Sequence, residues 1–114
     1  MTPGYDREAD LLDQIIGTTP GREGVAIRLG WECMHLRPAR TLKGWRTPVQ
    51  GSLGKGWPDL ILVRVPRIIA AELKSASGKV SDEQAHVLAL LRLSGIECYV
   101  WRPADWDSIV EALT

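Results

Sequence analysis

With 114 residues, 45% of them hydrophobic and 25% charged, the chain has material for one globular domain and excludes a second independent core. Fourteen Lys and Arg balance fourteen Asp and Glu, and the longest apolar runs, such as Leu60 to Val63, fall far short of the roughly 18 to 20 residues of a membrane span. The polar start, Met1 to Asp10, does not read as a signal peptide, and Cys33 and Cys98 give neither a disulfide framework nor a metal-type spacing, so a cytoplasmic protein with free thiols and a tendency to self-associate is expected.

Along the chain, Leu11, Leu12, Ile15 and Ile16 recur at helical spacing and predict an amphipathic helix over Asp6 to Ile16. Gly17 to Gly24 interrupts it as a turn. Val25, Ala26 and Leu29 then suggest a short helical piece that ends at Gly30, and Trp31 to Leu36 alternates as a first strand. Arg37 to Trp57 has no convincing periodicity and reads as a loop of about twenty residues, a length that compact domains keep for a function.

Charge indicates what that function is. Between Glu32 and Asp59 there is no acidic residue, only Arg37, Arg40, Lys43, Arg46 and Lys55, while both ends of the chain are acidic. A local basic surface on a neutral protein suits a polyanion bound at one place, and Trp45 and Trp57 in the same stretch can stack on bases or sugars; a merely solvated cationic loop is the plain alternative.

Asp59 to Val65 and Ile68 to Lys74 are rich in branched apolar residues and are separated by Pro66 and Arg67, the pattern of two strands joined by a tight turn. Ser75 to Val80 follows as a loop. Ser81 and Gln84 then form a capping box that opens a helix with Val87, Leu88, Leu90, Leu91 and Leu93 on its apolar side and Gly95 as its stop. Ile96 to Trp101 is a last strand, and Asp105 to Leu113 a closing helix with Asp105 as its cap. The order α, β, β, β, α, β, α predicts a mixed α/β fold with a central sheet, in a single domain over residues 1–114.

Two familiar chemistries fail on context. Gly51, Gly54 and Gly56 precede Pro58 and a strand, so no helix N-terminus follows to hold phosphate and no nucleotide cofactor is expected. No serine sits in a nucleophile elbow, and His35 and His86 have no nucleophile partner in the sequence; both read as packing or surface residues. Pro58-Asp59 at the start of one strand and Glu72-Leu73-Lys74 at the end of the next remain. Alternation puts Glu72 and Lys74 on one face, and a hairpin turning near Pro66 brings Asp59 beside them. Two carboxylates and an ammonium at one place suit Mg²⁺ or Mn²⁺ and phosphate oxygens; a buried ion pair that sets register is the structural alternative.

These segments, Gly56-Trp57-Pro58-Asp59-Leu60, Ala71-Glu72-Leu73-Lys74, Val80-Ser81-Asp82-Glu83-Gln84 and Gly95 to Trp101, taken in order and with their gaps, closely resemble the VRR-NUC branch of the PD-(D/E)xK nucleases. The resemblance implies a restriction-endonuclease-like fold, a mixed central sheet of about four strands flanked by helices. It also implies cleavage of DNA phosphodiesters with a divalent metal, Mg²⁺ or Mn²⁺, often by small phage-type replication or repair proteins acting as homodimers in the phage or bacterial host cytoplasm.

Carried over by position, Asp59 and Glu72 would ligate the metal, with the Leu73 carbonyl as a third ligand, and Lys74 would orient the attacking water. Gln84 matches the family's glutamine after this strand, although its place in the capping box accounts for it equally well. The family's first-helix glutamate, placed near the metal, falls on Glu8, which would join the metal ligands, with Asp10 and Glu23 as alternatives. The basic residues Arg37, Arg40, Lys43, Arg46 and Lys55 would grip DNA, and Trp101, Pro103 and Trp106 would close the core. A homodimeric four-way-junction resolvase, or a DNA-binding subunit of a larger replication or repair assembly, are the competing readings.

Overall fold

A computed structural model describes residues 4–36, 39–41, 44–46 and 49–114, with the backbone alone described for 39–41 and 44–46. Its central element is a four-stranded sheet in the order β1 (Glu32–His35), β4 (Leu60–Arg64), β5 (Arg67–Leu73) and β6 (Glu97–Trp101). β1 pairs antiparallel with β4 and β4 antiparallel with β5, whereas β6 runs parallel to β5. The parallel pair needs a crossover, which α3 (Asp82–Leu93) supplies. The turn lies at Val65 and Pro66, one residue earlier than expected, with Arg64 opposite Arg67.

The two faces of the sheet are packed differently. On one, Leu60, Leu62, Ile69, Ala71, Leu73 and Trp101 meet α1 (Glu8–Ile16) through Leu11 and Ile15, α2 (Val25–Arg28) through Ala26, and α4 (Trp106–Leu113) through Ile109 and Leu113. On the other, Ala70 and Cys98 meet Leu88 of α3. The strict alternation along β5 sends Ile69, Ala71 and Leu73 into the first layer and Ala70 and Glu72 into the second. The α4 end of the larger core is fastened by Arg64, which lies 4.6 Å from the centre of the Trp31 ring and donates to the Leu29 and Leu113 carbonyls at 3.1 and 2.9 Å. Trp31 Nε1 donates to the same Leu113 carbonyl at 2.9 Å. Trp101 and Pro103 are buried and Trp106 packs on the core, as expected.

Two expectations are corrected. The stretch from Arg37 to Trp57 is not one loop: it holds the antiparallel pair β2 (Ala39–Thr41) and β3 (Gly44–Arg46) and a 3₁₀ turn over Gly54–Gly56. Strands of three residues are too short for a period to show in sequence. Asp105 does not cap α4 with its side chain; it accepts from the Arg102 backbone N–H at 2.9 Å and so shapes the 3₁₀ turn Pro103–Asp105 that precedes the helix. Both cysteines are free, and burial pushes the Cys33 thiol up to about 11. No helix of the described residues is long and apolar enough to cross a membrane.

Gly56 shows how tightly the parts around Asp59 are fitted. A Cβ built there would collide with the Glu83 carbonyl oxygen and sit 2.9 Å from Gln84 N, in the first turn of α3. Gly56→Ala is therefore expected to lower stability by about 1 to 3 kcal/mol, the usual cost of overpacking against backbone that cannot yield. Urea unfolding measures it, and an unchanged midpoint would show that the loop and helix part without cost.

Candidate active site

Asp59 stands just before β4 and Glu72 one residue before the end of β5. Since Leu60 pairs with Ala71, the next step out places Asp59 beside Glu72, at the open end of the hairpin. The junction is fixed by backbone. Leu73 N donates to Asp59 Oδ2 at 2.9 Å, Leu36 N donates to the Asp59 carbonyl at 2.8 Å, and Lys74 N donates to the Trp101 carbonyl at 3.0 Å. Asp59, Glu72 and Lys74 are thus brought together as the hairpin argument predicted.

Glu72 is 2% exposed, the one charged side chain buried among the described residues. Its Oε2 accepts from Gln84 Nε2 at 3.0 Å and lies 3.8 Å from the ammonium of Lys74, whose side chain is itself only 15% exposed. Its Oε1 has no hydrogen-bond donor. Burial first, and then Asp59 close enough to share a proton, push the Glu72 carboxyl up to about 9 against the opposing pull of Lys74. Without a further cation, therefore, its surroundings favour the protonated form of Glu72 over the charged one. Two neighbouring carboxyls, one of them buried, with a single ammonium beside them have one positive charge too few.

Gln84 makes the cap contact and also reaches Glu72. Its Oε1 accepts from Ser81 N at 2.9 Å, closing the capping box, while its Nε2 reaches Glu72. One side chain therefore sets the start of α3 and the orientation of the buried carboxylate. Ser81, read in sequence only as a cap, becomes part of the site's support, since its Oγ accepts from Gln84 N at 3.1 Å.

A cavity of about 620 Å³ opens in front of Asp59, lined by Glu8, Thr18, His35, Leu36 and Leu73 among others. Of the three candidate acids of the N-terminal segment, Glu8 lies there. Asp10 pairs with Arg7 at 3.4 Å, and Glu23 lines a separate hollow at Gly17 to Arg28. Partial burial and then Asp59 raise the Glu8 carboxyl, Lys74 opposes them, and its solvent-exposed flank softens the effect. His35 was read as packing or surface; it lines this cavity because Leu36, next to it, bonds to Asp59. His86 is exposed on α3. Lys55 ion-pairs with Glu83 at 3.2 Å. Arg37 and Lys43 lie outside the described residues, as do the side chains of Arg40 and Arg46.

The donor set suits a hard divalent cation. Glu72 Oε1 and Asp59 offer carboxylate oxygen, Leu73 offers a nearby backbone carbonyl, and a cation would take the place of the shared proton. Among the described residues no cluster of three or more His, Cys, Asp or Glu side chains is gathered to hold an ion. Two carboxylates with water and phosphate completing the shell is the Mg²⁺ habit, and Glu8 lines the same cavity as Asp59.

Searches among curated proteins and among solved structures found no match. The family model of the VRR-NUC domain matches residues 7–105, from the residue before α1 through the whole sheet to the turn before α4. With the sheet, the two acids and the lysine in the places described, the chain belongs to the VRR-NUC domain family, a family of PD-(D/E)xK nuclease-like domains.

Proposed function

We propose that the protein is a divalent-metal-dependent DNA endonuclease of the phage replication or repair type, acting in the host cytoplasm. The observation that carries this reading is the buried Glu72, its Oε1 lacking a donor, set between Lys74 and the half-buried Asp59, which itself lines an open cavity. Asp59, Glu72 and the Leu73 carbonyl are the groups that would hold a divalent cation, which when bound would supply positive charge against the phosphate and lower the pKa of a water.

The chain's own groups do the rest. Lys74 holds its ammonium beside Glu72, where it could orient a water and offset charge growing on the phosphoryl oxygens. Gln84 Nε2 donates to Glu72 Oε2 and so helps to orient the carboxyl. The bases on and around the β2–β3 ribbon contribute phosphate contacts that position the strand without reading sequence.

The test is incubation of the purified protein with duplex, flapped, single-stranded and four-way-junction DNA in Mg²⁺ or Mn²⁺ and in EDTA. Cleavage of at least one form, leaving a 5′ phosphate and stopped by EDTA, is expected; binding without cleavage in either metal would contradict the reading and favour the DNA-binding subunit. The homodimeric junction resolvase has one observation of its own, the exposed Val63, Val65 and Ile68 at the outer end of the β4–β5 hairpin. Cleavage confined to junctions by a protein that sediments as a dimer would select it.

A further inference from the structure

On the α3 face of the sheet, beside the catalytic cavity, runs a second groove of about 330 Å³. Its walls are Met34, Leu36, Val49, Leu53 and Trp57, and Gln50 is the one polar side chain among the described residues that line it. Met34, Val49 and Leu53 are 52%, 44% and 41% exposed, a local concentration of open apolar surface with an aromatic wall. No charged side chain is among the described lining residues, so the groove suits a neutral group with apolar faces and a hydrogen-bonding edge.

Its position says what that group is attached to. Leu36 lines both the groove and the catalytic cavity, and its N–H bonds to the Asp59 carbonyl. Met34 pairs with Ile61, which packs on the α3 layer, so Met34 stands on the α3 side of the sheet while Leu36 bridges to the cavity that Asp59 lines. Trp57, with extended backbone angles, precedes Asp59 by two residues, a reach of about 7 Å. That is the scale of one nucleotide step. The Lys55 ammonium stands on the same short turn, and the only polyanion the neighbouring cavity is argued to take is a DNA strand.

We infer that this groove receives the unpaired nucleobase of the nucleotide next to the scissile phosphate, with Trp57 stacking on its face, the aliphatic side chains of Met34, Leu36, Val49 and Leu53 enclosing it and the Gln50 amide meeting its edge. The inference rests on the nuclease reading for the identity of the ligand and goes beyond it in naming the form of DNA. A base inside a duplex is already stacked and cannot enter, so strands with an unpaired nucleotide at the cut are bound more tightly than fully paired ones.

Binding measured in EDTA separates this from the nuclease reading, because it needs no cleavage. Fluorescence anisotropy is read with a labelled single-stranded 20-mer and with the same strand fully paired. Trp57→Ala is expected to weaken single-strand binding about tenfold or more while leaving duplex binding within about twofold, and Trp57→Phe to restore most of the loss. Leu53→Ser, at an exposed position that does not threaten the fold, is expected to act in the same direction by a few fold. Equal losses on both DNAs, no loss on either, or a Trp57→Ala effect on self-association in place of DNA binding would each overturn the groove's assignment. Metal-supported cleavage by a protein whose Trp57→Ala variant binds normally would leave the nuclease standing and the groove without this role. A single-strand preference lost in Trp57→Ala, in a protein that never cuts, would do the reverse.

Discussion

Lys74→Ala is expected to lower the rate of DNA cleavage by between about 10² and 10⁴ while leaving DNA affinity nearly unchanged. The magnitude follows from placement. The ammonium lies 3.8 Å from Glu72 Oε2 on a side chain that is 15% exposed, at the end of a strand whose next backbone N–H is tied to Trp101. A charge held in that way is oriented before substrate arrives, and its effect on developing phosphoryl charge is greater than that of a mobile surface lysine. Binding survives because affinity for DNA is spread over many phosphate contacts and this is at most one of them. Lys74→Arg is not expected to restore the rate, since a guanidinium fits the space of an ammonium poorly and does not give up a proton. Single-turnover cleavage beside anisotropy measures both quantities. A variant that cuts at the wild-type rate would remove Lys74 from the chemistry, and one that neither binds nor cuts would make it a structural ion pair.

The second large effect concerns stability and pH. In the metal-free protein the folded-state Glu72 carboxyl is raised to about 9, above its ordinary value of 4.5, so the folded form binds the proton more tightly than the unfolded form. The sign follows: the stabilisation is fully present below the unfolded value and is lost as pH rises toward the folded one. Metal-free protein should therefore unfold at a lower temperature at pH 8.5 than at pH 5.5, by about 5 °C or more for a domain of this size. Glu72→Gln should flatten that slope, because the amide is neutral throughout and can still accept from Gln84. Mg²⁺ or Mn²⁺ should raise the melting temperature of the wild type more at pH 8.5 than at pH 5.5, since the cation competes with the proton, and should do little for Glu72→Gln. A melting temperature that does not fall with pH between these values would show that Glu72 carries no proton in the folded protein.

The parts of this molecule that follow from local rules were legible in sequence. Ser81 and Gln84 announce the start of α3, Gly95 its end, and the branched runs on either side of Pro66 announce a hairpin. The hairpin in turn places Asp59 beside Glu72 by counting alone. What sequence did not show depends on distant packing. The parallel pairing of β6 with β5 is decided by where α3 can lie, and the small strands β2 and β3 are too brief to carry a period. That Gln84 serves cap and carboxylate together could not be read either, because it requires α3 to start within reach of the end of β5. The choice of Glu8 over Asp10 and Glu23 is of the same kind: all three are acids near α1, and only the helix's rotation and the Arg7–Asp10 pair separate them.

The Asp59–Glu72 pair as the seat of a divalent cation is tested most directly by titrating metal-free protein with Mn²⁺ in a calorimeter at pH 8, without DNA. Wild type and Lys74→Ala should bind the ion, with Lys74→Ala at least as tight because a competing positive charge is gone, whereas Asp59→Asn and Glu72→Gln should show little or no heat of binding. Equal binding by all four proteins would place the metal elsewhere and contradict the account of the site.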